Sequence, residues 1–415
     1  MKSFLSNRHL GAAAVIGLVS GVGATGFHFL ADRFGEAIFA WVDTQPWTLR
    51  LPLVVLVPTC GLFLVGLVLQ YYPSSAHGGV REVAEAIDDH EGVIPGDRII
   101  NVILSGLVLA FGGSVGPEGP MVQMGALIGS KVGTLRRLSP DGVRTLVRAG
   151  AAAGVAAAFR SPAGGILLTA EVFGARFDRQ LPAIGLAASI GYLTRTFLIG
   201  GEYPFALPFK PSPMPLAGLL LITPLMGLLA APAGHLFIWM LETARRRFPK
   251  NMPLSARVAL GGFLVGCIGI FYPQVMSAGY RVVERGLSGE ISFQLFVILL
   301  LLKMVATSLT FGSGAVGGLF APTLFMGAMF GGAFGYGFNW LYPAAVPEPG
   351  LFVLLGMIVM FGSIVKGYWS GLLLVADMSG CYHALLLPGI IAGGISYLLS
   401  WQINNRSVFG MPLKE

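Results

Sequence analysis

The segment Phe111–Gly129, FGGSVGPEGPMVQMGALIG, has a counterpart at Phe311–Gly331, FGSGAVGGLFAPTLFMGAMFG. Each opens on a glycine-rich loop. Each then runs through P-x-x-x-M-G-A-x-x-G, from Pro120 to Gly129 and from Pro322 to Gly331. The two lie about half the chain length apart. Glycine and proline break apolar helices, the first by adopting positive φ and the second by lacking an N–H donor. Paired, interrupted apolar segments at matching places in two halves point to a transporter with its site between the repeats. The expectation is an all-α polytopic membrane protein built as an inverted-topology repeat with many short, tilted or broken helices. It forms a single transmembrane domain, residues 1–415, with repeats at about 10–200 and 212–405. The seam is expected near EYPFALPFKPSPMP, Glu202–Pro215, where prolines cluster.

Composition agrees. Apolar residues make up 54% of the chain and charged residues 11%, less than half the ~25% of soluble domains. Uncharged runs cover Leu51–Gly79, Pro211–Leu241, Val258–Tyr280, Met304–Pro347 and Met378–Asn405, and a spanning helix needs about 20 such residues. The amino-terminal run, MKSFLSNRHLGAAAVIGLVSGVGATGFHFL, is read as a span and not as a leader, because no A-x-A site follows. No soluble module is expected after the last span. The 59 glycines are about twice ordinary usage and suit close helix packing in lipid.

The net charge of +7 reflects the positive-inside rule and not a nucleic-acid partner. Its carriers are expected in two cytoplasmic loops, one with Lys131, Arg136, Arg137, Arg144 and Arg148, the other with Arg245, Arg246, Arg247 and Lys250. Cys60, Cys267 and Cys381 are far apart and read as small core residues. The six histidines are scattered, so no metal site is expected. No intramembrane Ser–His, paired Asp or HExxH set supports an enzyme.

The loops carry the chemistry. A glycine-rich turn feeding a helix leaves backbone N–H groups without partners, and the helix dipole adds positive character there. In a membrane interior such an end takes an anion. No fixed lysine is needed, so the anion is not trapped. GGLFAP, Gly317–Pro322, offers only backbone N–H groups and the edge of Phe320. GPEGP, Gly116–Pro120, has the same form but adds Glu118. A carboxylate there competes with the transported ion, and protonation would release it. The competing reading is a plain helix-capping acid.

These elements resemble the CLC family of chloride channels and proton/chloride antiporters, over nearly the whole chain to Leu413. GPEGP resembles its G-[RK]-E-G-P element, and GGLFAP its G-x-F-x-P element. FRSPAGGILLTAEV, Phe159–Val172, resembles F-N-A-P-x-A-G-x-L-F-x-x-E. LLVADMSGCYHALLLP, Leu373–Pro388, resembles the late segment around L-E-M-T, with Asp377 at the usual glutamate. The resemblance implies a homodimer with one anion pathway per subunit, in membrane lipid. It makes Glu118 the external gating glutamate. It places anion contacts at Gly116, Pro117 and Gly119 and at Gly318, Leu319, Phe320 and Ala321, with no cofactor beyond chloride as substrate. Absence of the nucleotide-binding CBS modules of many eukaryotic members implies a prokaryotic type, in a bacterial inner membrane.

Three departures bear on mechanism. Val172, following Glu171, takes the proton-relay position of the antiporters, and valine carries no proton; the competing alignment makes Glu171 the relay. Phe409 takes the position of the chloride-coordinating tyrosine and lacks its hydroxyl. At the inner entrance the family's G-S-G-I-P appears as HGGVR, His77–Arg81, so Gly78 replaces the serine beside Gly79. A wider inner gate is expected, with His77 or Arg81 as substitute cations or plain loop residues. The resulting expectation is channel-like passive conduction gated by Glu118. The alternatives are a proton-coupled antiporter with a non-standard inner path, or a fluoride exporter. That last branch also lacks the tyrosine, but HGGVR lacks its usual Asn or Met.

Overall fold

The computed structural model describes residues 7–73, 78–175, 179–208, 218–341, 349–404 and 406–410. His77 and part of the proline-rich seam lie outside the described residues. The first half contains α1 (Asn7–Asp43), α2 (Trp47–Tyr71), α3 (Val80–Asp89), α4 (Ile99–Ala110), α5 (Glu118–Leu135), α6 (Pro140–Phe159), α7 (Pro162–Phe173) and α8 (Leu181–Ile199). The second contains α9 (Thr223–Arg247), α10 (Leu254–Phe271), α11 (Tyr280–Leu287), α12 (Phe293–Gly312), α13 (Phe320–Leu341), α14 (Pro349–Val365), α15 (Tyr368–Ser379) and α16 (Tyr382–Ile403). Among the described residues there is no strand; one isolated bridge pairs Gly116 with Gly318.

The helices form two layers. Among the described residues seven are long and apolar enough to cross a membrane: α1, α2, α8, α9 with the turn before it, α10, α12 and α16. On α1, Val15, Leu18, Val19 and Val22 recur at helical spacing and stay exposed. Such a stripe suits lipid, because the bilayer solvates apolar side chains. The inner layer is α5, α6, α13 and α14. From Leu351 to Phe361 nearly every side chain of α14 is shielded from the surface.

The repeated M-G-A-x-x-G motif builds this inner layer. A Cβ on Gly125 would run into the carbonyl of Gly150 in α6, and one on Gly129 into that of Leu146. In the second half a Cβ on Gly327 would meet the Gly356 carbonyl of α14, and one on Gly331 that of Phe352. Lipid tails are as apolar as leucine, so helices in a bilayer gain from backbone approach and dispersion, which only small residues permit.

Several expectations change. The run Met304–Pro347 is not one span: α12 stops at Gly312 and α13 starts at Phe320. Arg144 and Arg148 are not loop charges. Both lie in α6, where Arg144 Nε donates to Ile87 O at the end of α3 and Arg148 Nε donates to Phe173 O at the end of α7. A cation suits a helix C-terminus, where carbonyls lack partners. Cys60 is exposed on α2, whereas Cys381 is buried.

Gly150→Val is expected to wedge α5 from α6 and destabilise the protein by about 1–3 kcal/mol. Thermal unfolding in detergent should show a clear loss, while Gly26→Ala, at a site with open space around it, should not. Equal behaviour of the two variants would overturn the packing argument.

Candidate functional site

The two glycine loops are bonded to each other. Gly116 N–H donates to Gly318 O at 2.8 Å, and Gly318 N–H donates to Gly116 O at 3.0 Å. The bridge sets the starts of α5 and α13 side by side. Gly119 must lack a side chain, since a Cβ there would strike the Gly318 backbone. The first loop is also braced on α12: Ser114 N–H donates to Thr310 Oγ1 at 3.1 Å, and its hydroxyl pairs with that of Thr307 at 2.9 Å.

Pro120 and Pro322 sit third in their helices and have no N–H. Met121 N–H already bonds to Pro117 O at 3.2 Å and Thr323 N–H to Leu319 O at 3.1 Å. Gly116 and Gly318 spend theirs on the bridge, and Pro117 has none. The N–H groups of Glu118, Gly119, Leu319, Phe320 and Ala321 are left without a backbone acceptor among the described residues. Two positive helix ends therefore converge in a buried place.

Glu118 fills it. The residue is 2% exposed. Its carboxylate faces the N–H groups of Glu118 itself and of Ala321 in α13. A side chain on Gly116 would meet both Glu118 Oε2 and the Ala321 nitrogen, so these two lie together. Oε1 accepts from the Tyr280 hydroxyl, and Oε2 has no hydrogen-bond partner of standard geometry among the described residues. A plain capping acid would serve its own helix alone. This one reaches a second helix start and a third element.

Beside the bridge lies a cavity of about 120 Å³, lined in part by Gly78, Gly79, Gly318, Leu319, Arg245 and Phe409. Three distant stretches of sequence meet there. Val408 N–H donates to Ile364 O at 3.0 Å and so fixes the carboxy-terminal stretch on α14. The Phe409 ring then lies edge-on to Phe320, with centroids 5.3 Å apart. Phe320 itself is fully buried, its ring in contact with Phe159, Phe361 and Phe409.

The segment expected to form the inner entrance differs from expectation. Gly79 N–H is occupied by Gln123 Oε1 at 2.9 Å. The space that a serine side chain would take at Gly78 is filled by the side-chain amide of Asn101 from α4, which is 2% exposed and lines the cavity. The missing hydroxyl therefore leaves no open gap. Arg81 pairs with Glu85 at 2.6 Å. Gln123 also donates to Glu82, which pairs with Arg98 at 2.8 Å.

Val172 packs against the hydrophobic core. Glu171 caps α15, its oxygens accepting from the N–H groups of Trp369 and Ser370, each at 2.8 Å. Its carboxylate is thus engaged in holding a helix end. Sequence reading missed Tyr280, Asn101 and Gln123. Tyr280 lies 162 residues from Glu118, and nothing local announces their meeting. Asn101 carried a usable signal, a lone amide opening a fully apolar helix.

The family model described as "Voltage gated chloride channel" matches residues 60–401. The chain is 34% identical over 388 residues to a putative chloride channel protein ClcB-like of Ralstonia nicotianae, covering 91% of this chain and 88% of that one. It is 30% identical over 416 residues to the H(+)/Cl(-) exchange transporter ClcA of Vibrio campbellii, covering 97% and 88%. Its fold is similar to that of a slow cyanobacterial Cl-/H+ antiporter, with a TM-score of 0.89 at 23% identity over 98% of this chain and 97% of that one. It is also similar to a CLC-type fluoride/proton antiporter, with a TM-score of 0.83 at 24% identity, covering 100% and 99%. With its two bonded helix starts, its buried acid and these relatives, the chain is an integral membrane protein belonging to the voltage-gated chloride channel (CLC) family of anion transporters.

Proposed function

We propose that this protein exchanges chloride, or a closely related anion, for protons, with Glu118 as the gate. The reading takes it to be a homodimer of a bacterial inner membrane, each subunit holding its own pathway between its two repeats. The observation that carries it is the Glu118 carboxylate seated between the starts of α5 and α13. A carboxylate there is a tethered anion, so a free anion enters only when it leaves. A proton cancels the charge that the two helix ends stabilise and frees the arm to move. Exchange, the alternative in the sequence reading, has the better support: the Vibrio relative is named an exchanger. Passive conduction keeps two supporting observations, the valine at position 172 and the Ralstonia relative named a putative chloride channel protein.

Exchange needs a titratable group on the inner side. Glu82 is the candidate. It is 8% exposed, and burial pushes its carboxyl up to about 7, with Arg98 and the Gln123 bond opposing and Asp97 and Glu85 adding to the rise. It therefore takes up and gives back a proton near neutral pH. Gln123 links it to the Gly79 wall of the cavity.

Reversal potentials of the purified protein in bilayers under a pH gradient test the coupling. Exchange predicts that the chloride reversal potential moves with the proton gradient, and that Glu82→Gln abolishes that movement while chloride flux persists. A reversal potential blind to the proton gradient would leave only the passive reading. Glu118→Gln is expected to conduct at every pH and to lose pH dependence; retained pH activation would remove Glu118 as the gate. Phe409→Tyr restores a donor at the inner site. A charge-assisted hydrogen bond contributes about 1.5–3 kcal/mol, so chloride binding measured by calorimetry should tighten roughly tenfold or more. No change would mean that Phe409 does not face the anion.

A further inference from the structure

Tyr280 opens α11 and belongs to neither helix start, yet its hydroxyl donates to Glu118 Oε1. The turn before it is unusual. Ser277 and Gly279 both adopt left-handed backbone, with φ of 50° and 83°. Such a conformation is disfavoured for serine and persists only where surroundings enforce it.

The enforcement comes from two sides. Ser277 Oγ donates to Leu109 O at 2.9 Å, and Ser277 N–H to Gly112 O at 3.4 Å. This ties the turn to the end of α4, where the gating loop begins. From the other side Lys303 of α12, fully buried, donates through Nζ to Val275 O at 3.0 Å and to Ser277 O at 2.6 Å. Its ammonium lies 4.9 Å from the Phe325 ring centre in α13. A buried ammonium is costly and is retained in membranes for a purpose; here it touches no carboxylate among the described residues and clamps this turn. The Tyr280 ring is held in turn by Phe205, edge-on at 5.5 Å, whose N–H donates to Met378 O at 3.0 Å.

From this geometry we infer that Tyr280 is the latch of the gate, a donor fixed where the Glu118 carboxylate arrives, with Lys303 as the residue that positions it. The inference rests on Glu118 being the gate. When the carboxylate leaves, the same hydroxyl faces whichever anion replaces it. The charged groups that face Glu118 from other elements are Asp32 of α1 and Arg195 of α8. Asp32 in turn pairs with His28 at 3.2 Å and feels Glu36 and Arg281. The latch acts against this shared background, which a change at Tyr280 alone leaves in place.

The sign follows from the donor. A hydroxyl bonded to an ionised carboxylate favours that form, so its loss lets protonation, and hence opening, occur at higher pH. Proteoliposome chloride flux should rise on acidification in the wild type. In Tyr280→Phe, which keeps the ring and its contact with Phe205, the curve should move alkaline by about one pH unit, a tenfold change in proton concentration. Lys303→Met should move it the same way by less. In a Glu118→Gln background neither change should alter the pH profile. Site-specific 3-fluorotyrosine at position 280, a stronger donor that keeps the hydroxyl, should move the curve acid and serves if the phenylalanine variant does not fold. Unmoved curves in the Tyr280 variants would overturn the latch while leaving the gate standing. A Glu118→Gln protein that still responds to pH would instead remove the gate on which the latch rests.

Discussion

The pair of hydrogen bonds between Gly116 and Gly318 is the constraint on which the site depends. It brings two helix N-termini together in an apolar interior. Each end is positively polarised and short of acceptors, so such an arrangement is unfavourable unless a negative charge sits between them. Glu118 supplies that charge from within the chain. The glycines at 116 and 119 follow from the same constraint, since a Cβ at either place would occupy the ground that the carboxylate or the opposite backbone needs.

That site is held steady by a layer packed for rigidity. α5 lies on α6 and α13 on α14 at distances that leave no room for side chains at Gly125, Gly150, Gly327 and Gly356. In lipid, where apolar side chains gain little by leaving the solvent, backbone approach is what helix association draws on. The outer helices meet the bilayer, and the inner ones need only position their termini. Arginines that a linear reading assigns to loops are instead used inside the fold. Arg144 and Arg148 close the carbonyl ends of α3 and α7, where a cation is electrostatically suited.

Local losses are met from distant parts of the chain, though not everywhere. At Gly78, which the resemblance aligns with the family's serine, Asn101 from another helix fills the space with an amide. At Phe409, which the resemblance aligns with the family's tyrosine, the ring packs against Phe320. A tyrosine hydroxyl appears on the other side of the bridge, at Tyr280. Substitutions read one position at a time suggest a path stripped of polar groups; the fold brings Asn101 to the space beside Gly78 and the Tyr280 hydroxyl to Glu118.

The sequence by itself determined the class, the doubled glycine loops, the acid at the first of the two helix starts and the family. These are properties of composition and spacing, and they survive without coordinates because apolar length, helix-breaking residues and an ionisable group in a greasy run each have a local physical meaning. Through resemblance it also marked Phe409 and Gly78 as anion contacts. Only the tertiary structure decided which donors are free. The N–H groups of Gly79, Gly116 and Gly318 are taken by partners that lie far away in sequence, and Arg144, Arg148 and Glu171 are engaged at helix ends. The clamp of Lys303 on the turn before Tyr280, and the reach of that tyrosine to Glu118, were likewise invisible. Hydrogen bonding is short-ranged and saturable, so whether a group is available depends on what the fold brings within about 3 Å of it, and no spacing along the chain records that.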